Sequence, residues 1–257
     1  MQDDTDGVIY LTEIFSGIQG EGALVGERQV FVRLAGCNIR CAYCDQPEAL
    51  ERVAGPCRIE QTPGRRDWST VASPLPIPEA AAAIDRLWTA LPHHSVTLTG
   101  GEPLFQGERL SELAAQLTSR GQQMFLETNG LLTSPLRRIS ALLSHVSMDV
   151  KLDSVDGEGV TLERHRRFLA AAVESVPHVY CKVVIGPNTG VRELAKAISM
   201  IASTAPDIEV FLQPVTPFGR VTAAPTPERV LALHEAALRI HRRVRVVPQT
   251  HKTIGQL

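Results

Sequence analysis

The chain has 257 residues, of which 44% are hydrophobic and 21% charged, enough apolar content to bury a full core in one larger α/β domain. A formal charge of −2 offers no basic field for nucleic acid or an anionic membrane, so a small molecule is the expected partner. The amino end lacks a charged-then-apolar leader pattern and no apolar run approaches the ~20 residues of a bilayer span, so a cytoplasmic protein without membrane contact is expected.

In chain order, the first expected strand is "VFVRLAG" (30–36), which runs straight into "CNIRCAYC" (37–44). The stretch 52–77, "RVAGPCRIEQTPGRRDWSTVASPLPI", is Pro-rich and aperiodic. It reads as an insertion within a single domain spanning 1–257, and not as a linker. "PEAAAAIDRLWTAL" follows as a helix, with Pro78 at its first turn and Ala81, Ile84, Leu87, Trp88 and Leu91 on one face. The strand "SVTLTGG" (95–101) precedes a second helix, "ERLSELAAQLTSRG", whose Leu110, Leu113, Ala114 and Leu117 share a face before Gly121. Strands "MFLETNG" (124–130), "VSMDVKL" (146–152), "VYCKVVIG" (179–186), "EVFLQPV" (209–215) and "RVRVVPQ" (243–249) then alternate with helices over 135–144, 161–174, 191–204 and 227–241. Such alternation implies right-handed crossovers and a parallel sheet, closed or partly closed.

A parallel α/β sheet places its site at the carboxyl ends of the strands. Those ends carry Cys37, Thr99 to Glu102, Glu127, Asn129, Asp149, Lys151, Gln213, Gln249, His251 and Lys252, whereas the amino ends ("HHS", "GQQ", "LLSH", "PDI") carry no matching set. Convergence on one rim predicts a site. Outside it, Lys182 reads as a strand-end charge, Cys181 as a small apolar core residue and "RHRRF" (164–168) as a solvated helix face.

Five cysteines are an odd count and a poor disulfide framework in the cytosol, so the close trio Cys37, Cys41 and Cys44 points to metal or redox chemistry. Structural zinc needs four ligands, and there is no second CxxC or paired Cys and His; Cys57 with His93 or His94 could complete a set only through the folding of the insertion. A [4Fe-4S] cluster on three cysteines leaves one iron open to a chelating small molecule. S-adenosylmethionine fits that vacancy. Its amino and carboxylate groups can bind the iron while its sulfonium is cleaved reductively to a 5′-deoxyadenosyl radical.

The CxxxCxxC loop after the first strand, with "TGGEP" (99–103) after the second, resembles the radical S-adenosylmethionine (radical SAM) superfamily, whose fold is a full or partial (β/α)6-type barrel with parallel strands. There Gly100 and Gly101 let backbone approach the methionine amino group and Glu102 can accept from it. "GIQGEGALVGERQVFVRLAGCNIRCAYCD", "ETNG", "SMDVKL", "LQPV" and "QTHK" together resemble the 7-carboxy-7-deazaguanine synthase family over nearly the whole chain apart from 52–77. That resemblance implies a lyase that contracts 6-carboxy-5,6,7,8-tetrahydropterin to 7-carboxy-7-deazaguanine with loss of ammonia, on the route to queuosine and related deazapurines.

Carried over by position, the resemblance makes Cys37, Cys41 and Cys44 the cluster ligands. It assigns Tyr43, Asp45, Gly101, Glu102, Asn129, Asp149, Val150, Lys151, Gln213, Pro214, Val215 and Thr216 to S-adenosylmethionine. Ile18, Gln19, Gly20, Glu21, Arg33, Thr99, His251 and the terminal carboxylate of Leu257 would meet the pterin, Arg33 gripping its carboxylate bidentately and Gln19 and Glu21 reading its ring edge. The family places Thr directly after the Cys-Asp pair, where its hydroxyl helps hold Mg2+; this chain has Gln46, whose amide oxygen is expected to hold the ion more weakly. An electron donor such as flavodoxin or ferredoxin and a homodimer are implied as well. The competing expectations are another radical SAM enzyme, such as a glycyl-radical activase, or a non-catalytic zinc or iron-sulfur scaffold.

Overall fold

The computed structural model describes residues 7–256. Its elements are β1 (Val8–Ile9), β2 (Leu11–Ile18), β3 (Arg28–Leu34), β4 (Gly55–Glu60), β5 (Trp68–Ser73), β6 (Leu75–Pro76), α1 (Ile77–Ala90), β7 (Ser95–Gly100), α2 (Glu108–Thr118), β8 (Met124–Thr128), α3 (Thr133–Ile139), β9 (Leu143–Val150), α4 (Asp153–Asp156), α5 (Leu162–Ser175), β10 (His178–Ile185), α6 (Val191–Thr204), β11 (Glu209–Pro214), α7 (Pro227–Leu238), β12 (Val244–Val246) and α8 (Thr250–Thr253).

Ten strands form one sheet in the order β12-β11-β10-β9-β8-β7-β3-β2-β4-β5. From β3 to β12 every neighbouring pair is parallel. β2 then runs antiparallel to β3, β4 parallel to β2, and β5 antiparallel to β4. The end strands β12 and β5 do not pair with each other, so the barrel is partial, as the alternation of strands and helices led us to expect.

Period-two geometry sorts each strand into a core face and a lumen face. On β3, Val30, Val32 and Leu34 join the main core, while Phe31 and Arg33 face a cavity inside the barrel. Ile84 and Leu87 of α1, Leu113 and Leu117 of α2, Phe168 of α5 and Ile201 of α6 are fully buried in that same core. Each such side chain contributes roughly 1.5–3 kcal/mol relative to exposure. On the lumen side, Phe125, Tyr180 and Phe211 of β8, β10 and β11 pack as a separate apolar cluster, Tyr180 and Phe211 edge to face at 5.1 Å. One step further along those strands and β9 come Glu127, Asp149, Lys182 and Gln213, all lining the cavity. The polar rim therefore stands on an aromatic floor.

Two stretches depart from the expectations. β2 was not among the expected strands, because Thr12, Glu13, Ser16 and Gly17 dilute its apolar pattern. The stretch 52–77 is not aperiodic: it holds β4 and β5, an antiparallel hairpin that widens the sheet at its edge. Cys57 and Ile59 point inward while Pro56 and Arg58 are exposed, an alternation that Pro56 and the polar turn conceal in one dimension.

Candidate active site

The cluster loop begins where β3 ends. Gly36 N–H donates to the Ala49 carbonyl (2.8 Å), Cys37 N–H to that of Leu50 (2.9 Å) and Ala42 N–H to that of Asp156 (2.9 Å), so the loop is tied at several points along its length. Cys37, Cys41 and Cys44 all line the cavity. Burial pushes the Cys41 thiol up to about 11 and raises Cys37 and Cys44 in the same direction. They are neutral thiols until a metal displaces their protons. Among the described residues, no three His, Cys, Asp or Glu side chains converge to hold a single metal ion, so this trio does not fit a mononuclear zinc site. A cubane, which spreads its cysteines over separate irons, fits it.

Beside the thiols the "GGE" turn comes close to backbone. A Cβ on Gly100, whose φ is +118°, would meet the Leu34 carbonyl oxygen at 2.3 Å, and one on Gly101 would meet the Gly36 and Ala49 oxygens at 2.4 Å. Only glycine packs there. The Glu102 carboxylate is buried and accepts from Leu104 N–H (3.1 Å), Thr128 Oγ1 (2.9 Å) and Asn129 N–H (2.7 Å). Burial lifts it to about 7 in spite of these donors. It shapes the "ETNG" turn, and a carboxylate so engaged keeps acceptor capacity for a further donor.

A chain of charges crosses the lumen. Lys151 donates to Tyr43 Oη (2.8 Å) and Asp149 Oδ2 (2.9 Å). Lys182 pairs with Glu21 and stands 3.7 Å from Asp149 Oδ2, and Gln249 donates to the other Glu21 oxygen (2.7 Å). Burial alone would lower both lysines. For Lys182 the surrounding Glu21, Asp149 and Glu127, and for Lys151 mainly Asp149 and Tyr43, outweigh it and hold both well above the ordinary lysine range. Burial likewise opposes ionisation of Glu21, yet Lys182 and Gln249 keep its carboxyl below the usual range. Glu127 moves upward, through burial and then the Glu21 charge.

Three acceptors on this wall, Asn129 Oδ1, Asp149 Oδ1 and Gln213 Oε1, are buried without a hydrogen-bond partner among the described residues. Such atoms cost stability unless a ligand donates to them. A molecule rich in hydroxyl and amino hydrogens, as S-adenosylmethionine is, fits this wall. Tyr43, Asp45, Lys151, Val215 and Thr216 line the same cavity, while Val150 is buried in the core behind the sheet and Pro214 lies off the wall; these last two departures follow strand alternation.

Opposite, Ile18, Gln19, Gly20 and Glu21 follow β2 into the cavity. Gln19 Nε2 donates to Gln29 Oε1 (3.0 Å) and Glu127 Oε1 (2.9 Å), and Thr99 Oγ1 donates to Glu127 Oε2 (2.6 Å). Arg33 donates from Nε to Glu13 (2.9 Å) and lies over the Phe15 ring, so its guanidinium is preset. His251 packs against Gly20, where a Cβ would meet its Nδ1 at 2.2 Å. Gln46 also lines the cavity. Leu257 lies outside the described residues.

Sequence reasoning underrated two residues here. Lys182, read as a strand-end charge, is a half-buried lumen cation; strand periodicity from Tyr180 to Val184 carried that signal. His165, read as part of a solvated face, is fully buried and its Nε2 accepts from Lys151 N–H (3.0 Å).

The Radical SAM superfamily model matches residues 32–201. A 7-carboxy-7-deazaguanine synthase of Geobacter sulfurreducens is 40% identical over 96% of this chain and 97% of its own length. One of Methanothermobacter thermautotrophicus is 32% identical over 95% and 96%. The crystal structure of QueE from Escherichia coli shares the fold, with a TM-score of 0.61 at 22% identity over 94% of each chain. These matches do not favour an activase or a scaffold. The three-cysteine loop within the matched region, and similarity to synthases along almost the whole length, place the chain in the radical SAM superfamily and, within it, in the 7-carboxy-7-deazaguanine synthase family.

Proposed function

We propose that the chain converts 6-carboxy-5,6,7,8-tetrahydropterin to 7-carboxy-7-deazaguanine with loss of ammonia, as the radical SAM ring-contraction step of queuosine and 7-deazapurine biosynthesis. The observation that carries this reading is a single cavity with the three thiols and unpartnered acceptors on one wall and a preset row of amide, carboxylate and guanidinium groups on the other. Cys37, Cys41 and Cys44 would hold a [4Fe-4S] cluster, and Asn129, Asp149 and Gln213 would accept from S-adenosylmethionine; bound there, the two would supply radical chemistry directed at substrate C6. Gln19, Glu21, Glu127 and Thr99 read the pterin edges while Arg33 takes the carboxylate. The protein's contribution is orientation of C6 and exclusion of water. Substrate deuterated at C6 should deliver its label into 5′-deoxyadenosine during anaerobic turnover; unlabelled 5′-deoxyadenosine alongside product would refute the geometry.

In this reading the Gln46 amide oxygen would help hold a magnesium ion at the substrate, more weakly than a threonine hydroxyl would. Turnover of the wild type should therefore rise with added magnesium, and Gln46→Thr should saturate at lower concentration. A flat wild-type titration, with dependence gained in the variant, would mean that Gln46 replaces the ion. The electron comes from a flavodoxin or ferredoxin in the cytoplasm, and the enzyme works as a homodimer, which sedimentation checks.

A further inference from the structure

The turn of the β4–β5 hairpin touches the end of the chain. Arg66 Nη2 donates to the Gly255 carbonyl (2.6 Å) across 189 positions, and Gln256 closes a small pocket against Phe15, Glu60, Gly64, Arg66 and Trp68. We propose that this hairpin is a brace that fixes segment 249–256 over the substrate side of the cavity, with Arg66 as the positioning residue. The proposal rests on the function argued above for the meaning of that side.

The turn is built to aim one side chain. Asp67 accepts from Gln61 N–H (3.2 Å), Thr62 N–H (2.8 Å) and Thr62 Oγ1 (2.7 Å), which closes the loop on itself. Arg66 N–H donates to Glu60 Oε1 (2.9 Å), and the other oxygen of that buried carboxylate accepts from Ser16 N–H (2.9 Å) on β2. The turn is thus anchored to the strand that leads into residues 18–21. Among the described residues Arg66 is the one non-glycine residue with positive φ, at +57°, a region that L side chains seldom adopt. Glycine suits this backbone better, so what arginine adds is its guanidinium.

The braced segment reaches the site directly. Gln249 donates to Glu21 Oε1 (2.7 Å), Thr250 N–H donates to the Gly20 carbonyl (2.9 Å), and Gln256 N–H donates to the His251 carbonyl (2.8 Å). On the far side Lys252 pairs with Asp45 (2.8 Å), next to Cys44. Beyond these bonds to Gly20 and Glu21, two tethers hold the segment, one to the cluster loop and one to the hairpin. The second fixes its outer end, beyond His251.

Arg66→Gly tests this cleanly, because it deletes the guanidinium while easing the backbone. Loss of one such hydrogen bond corresponds to about fivefold. In the full-length, cluster-loaded protein without substrate, amide hydrogen exchange over 250–256 should speed up by about that factor, with exchange in β8 to β11 unchanged. The KM for the pterin should rise by about the same factor with kcat within twofold, and Arg66→Lys should recover most of the loss. Unchanged exchange over 250–256 would overturn the brace, and faster exchange with an unchanged KM would overturn its positioning role. Because exchange is read without substrate, failure of the pterin to turn over would count against the proposed function and leave the brace test intact.

Discussion

Replacing Lys182 with methionine is expected to lower kcat/KM by about a hundredfold or more. Lys182 pairs with Glu21 on the substrate side and faces Asp149 on the cofactor side; Asp149 keeps Lys151, so methionine strips Glu21 of its counterion and leaves it acting on Glu127. Removing one partner of a buried ion pair costs about 3–5 kcal/mol. The lysine retains 15% side-chain exposure to the cavity, which favours the lower end, and about 3 kcal/mol is near a hundredfold at a factor of ten per ~1.4 kcal/mol. Burial opposes the Glu21 charge and Lys182 is what holds its carboxyl low, so without the lysine relief comes as Glu21 takes up a proton, and the variant should lose activity more steeply as pH rises. Lys182→Arg keeps the charge but not the compact ammonium, and should recover only part of the activity. Steady-state kinetics alongside thermal unfolding separate site from fold. A methionine variant within threefold of wild type would show that the lumen charges do not depend on Lys182.

Alanine at Cys37, Cys41 or Cys44 is expected to abolish 5′-deoxyadenosine formation and to lower cluster iron after anaerobic reconstitution, because each thiolate holds one iron. Cys57→Ala and Cys181→Ala should retain the cluster. Cys57 is buried in β4 with its thiol pushed to about 12 by burial, and Cys181 is buried in the core face of β10. Both act as small apolar residues. Iron analysis and electron paramagnetic resonance of the reduced proteins provide the readout; loss of iron from the Cys57 variant would sink the ligand assignment.

The parallel strands were readable because each is a short β-branched or aromatic run closed by a polar cluster, and the cluster loop because three cysteines at fixed spacing are themselves a local pattern. What escaped notice depends on pairing at a distance. β2 reads poorly because the partners of Glu13, Arg33 and Arg58, come from other strands. Nothing near Glu102 in sequence announces that Thr128 and Asn129, 26 and 27 positions on, will donate to its carboxylate. Lys182 looked like a mere strand-end charge because Glu21, its counterion, lies 161 positions away. Buried charge is satisfied by topology, and topology is what a linear pattern encodes least directly.

The aromatic layer of Phe125, Tyr180 and Phe211 has a consequence for the charges beside it. These rings are almost wholly buried, and Glu127, Lys182 and Gln213 follow them by two residues along β8, β10 and β11, so the lumen's polar groups stand against a low-dielectric layer on one side. Charges so placed act on one another more strongly than they would in water, and a change at one of them is felt by its neighbours across the cavity.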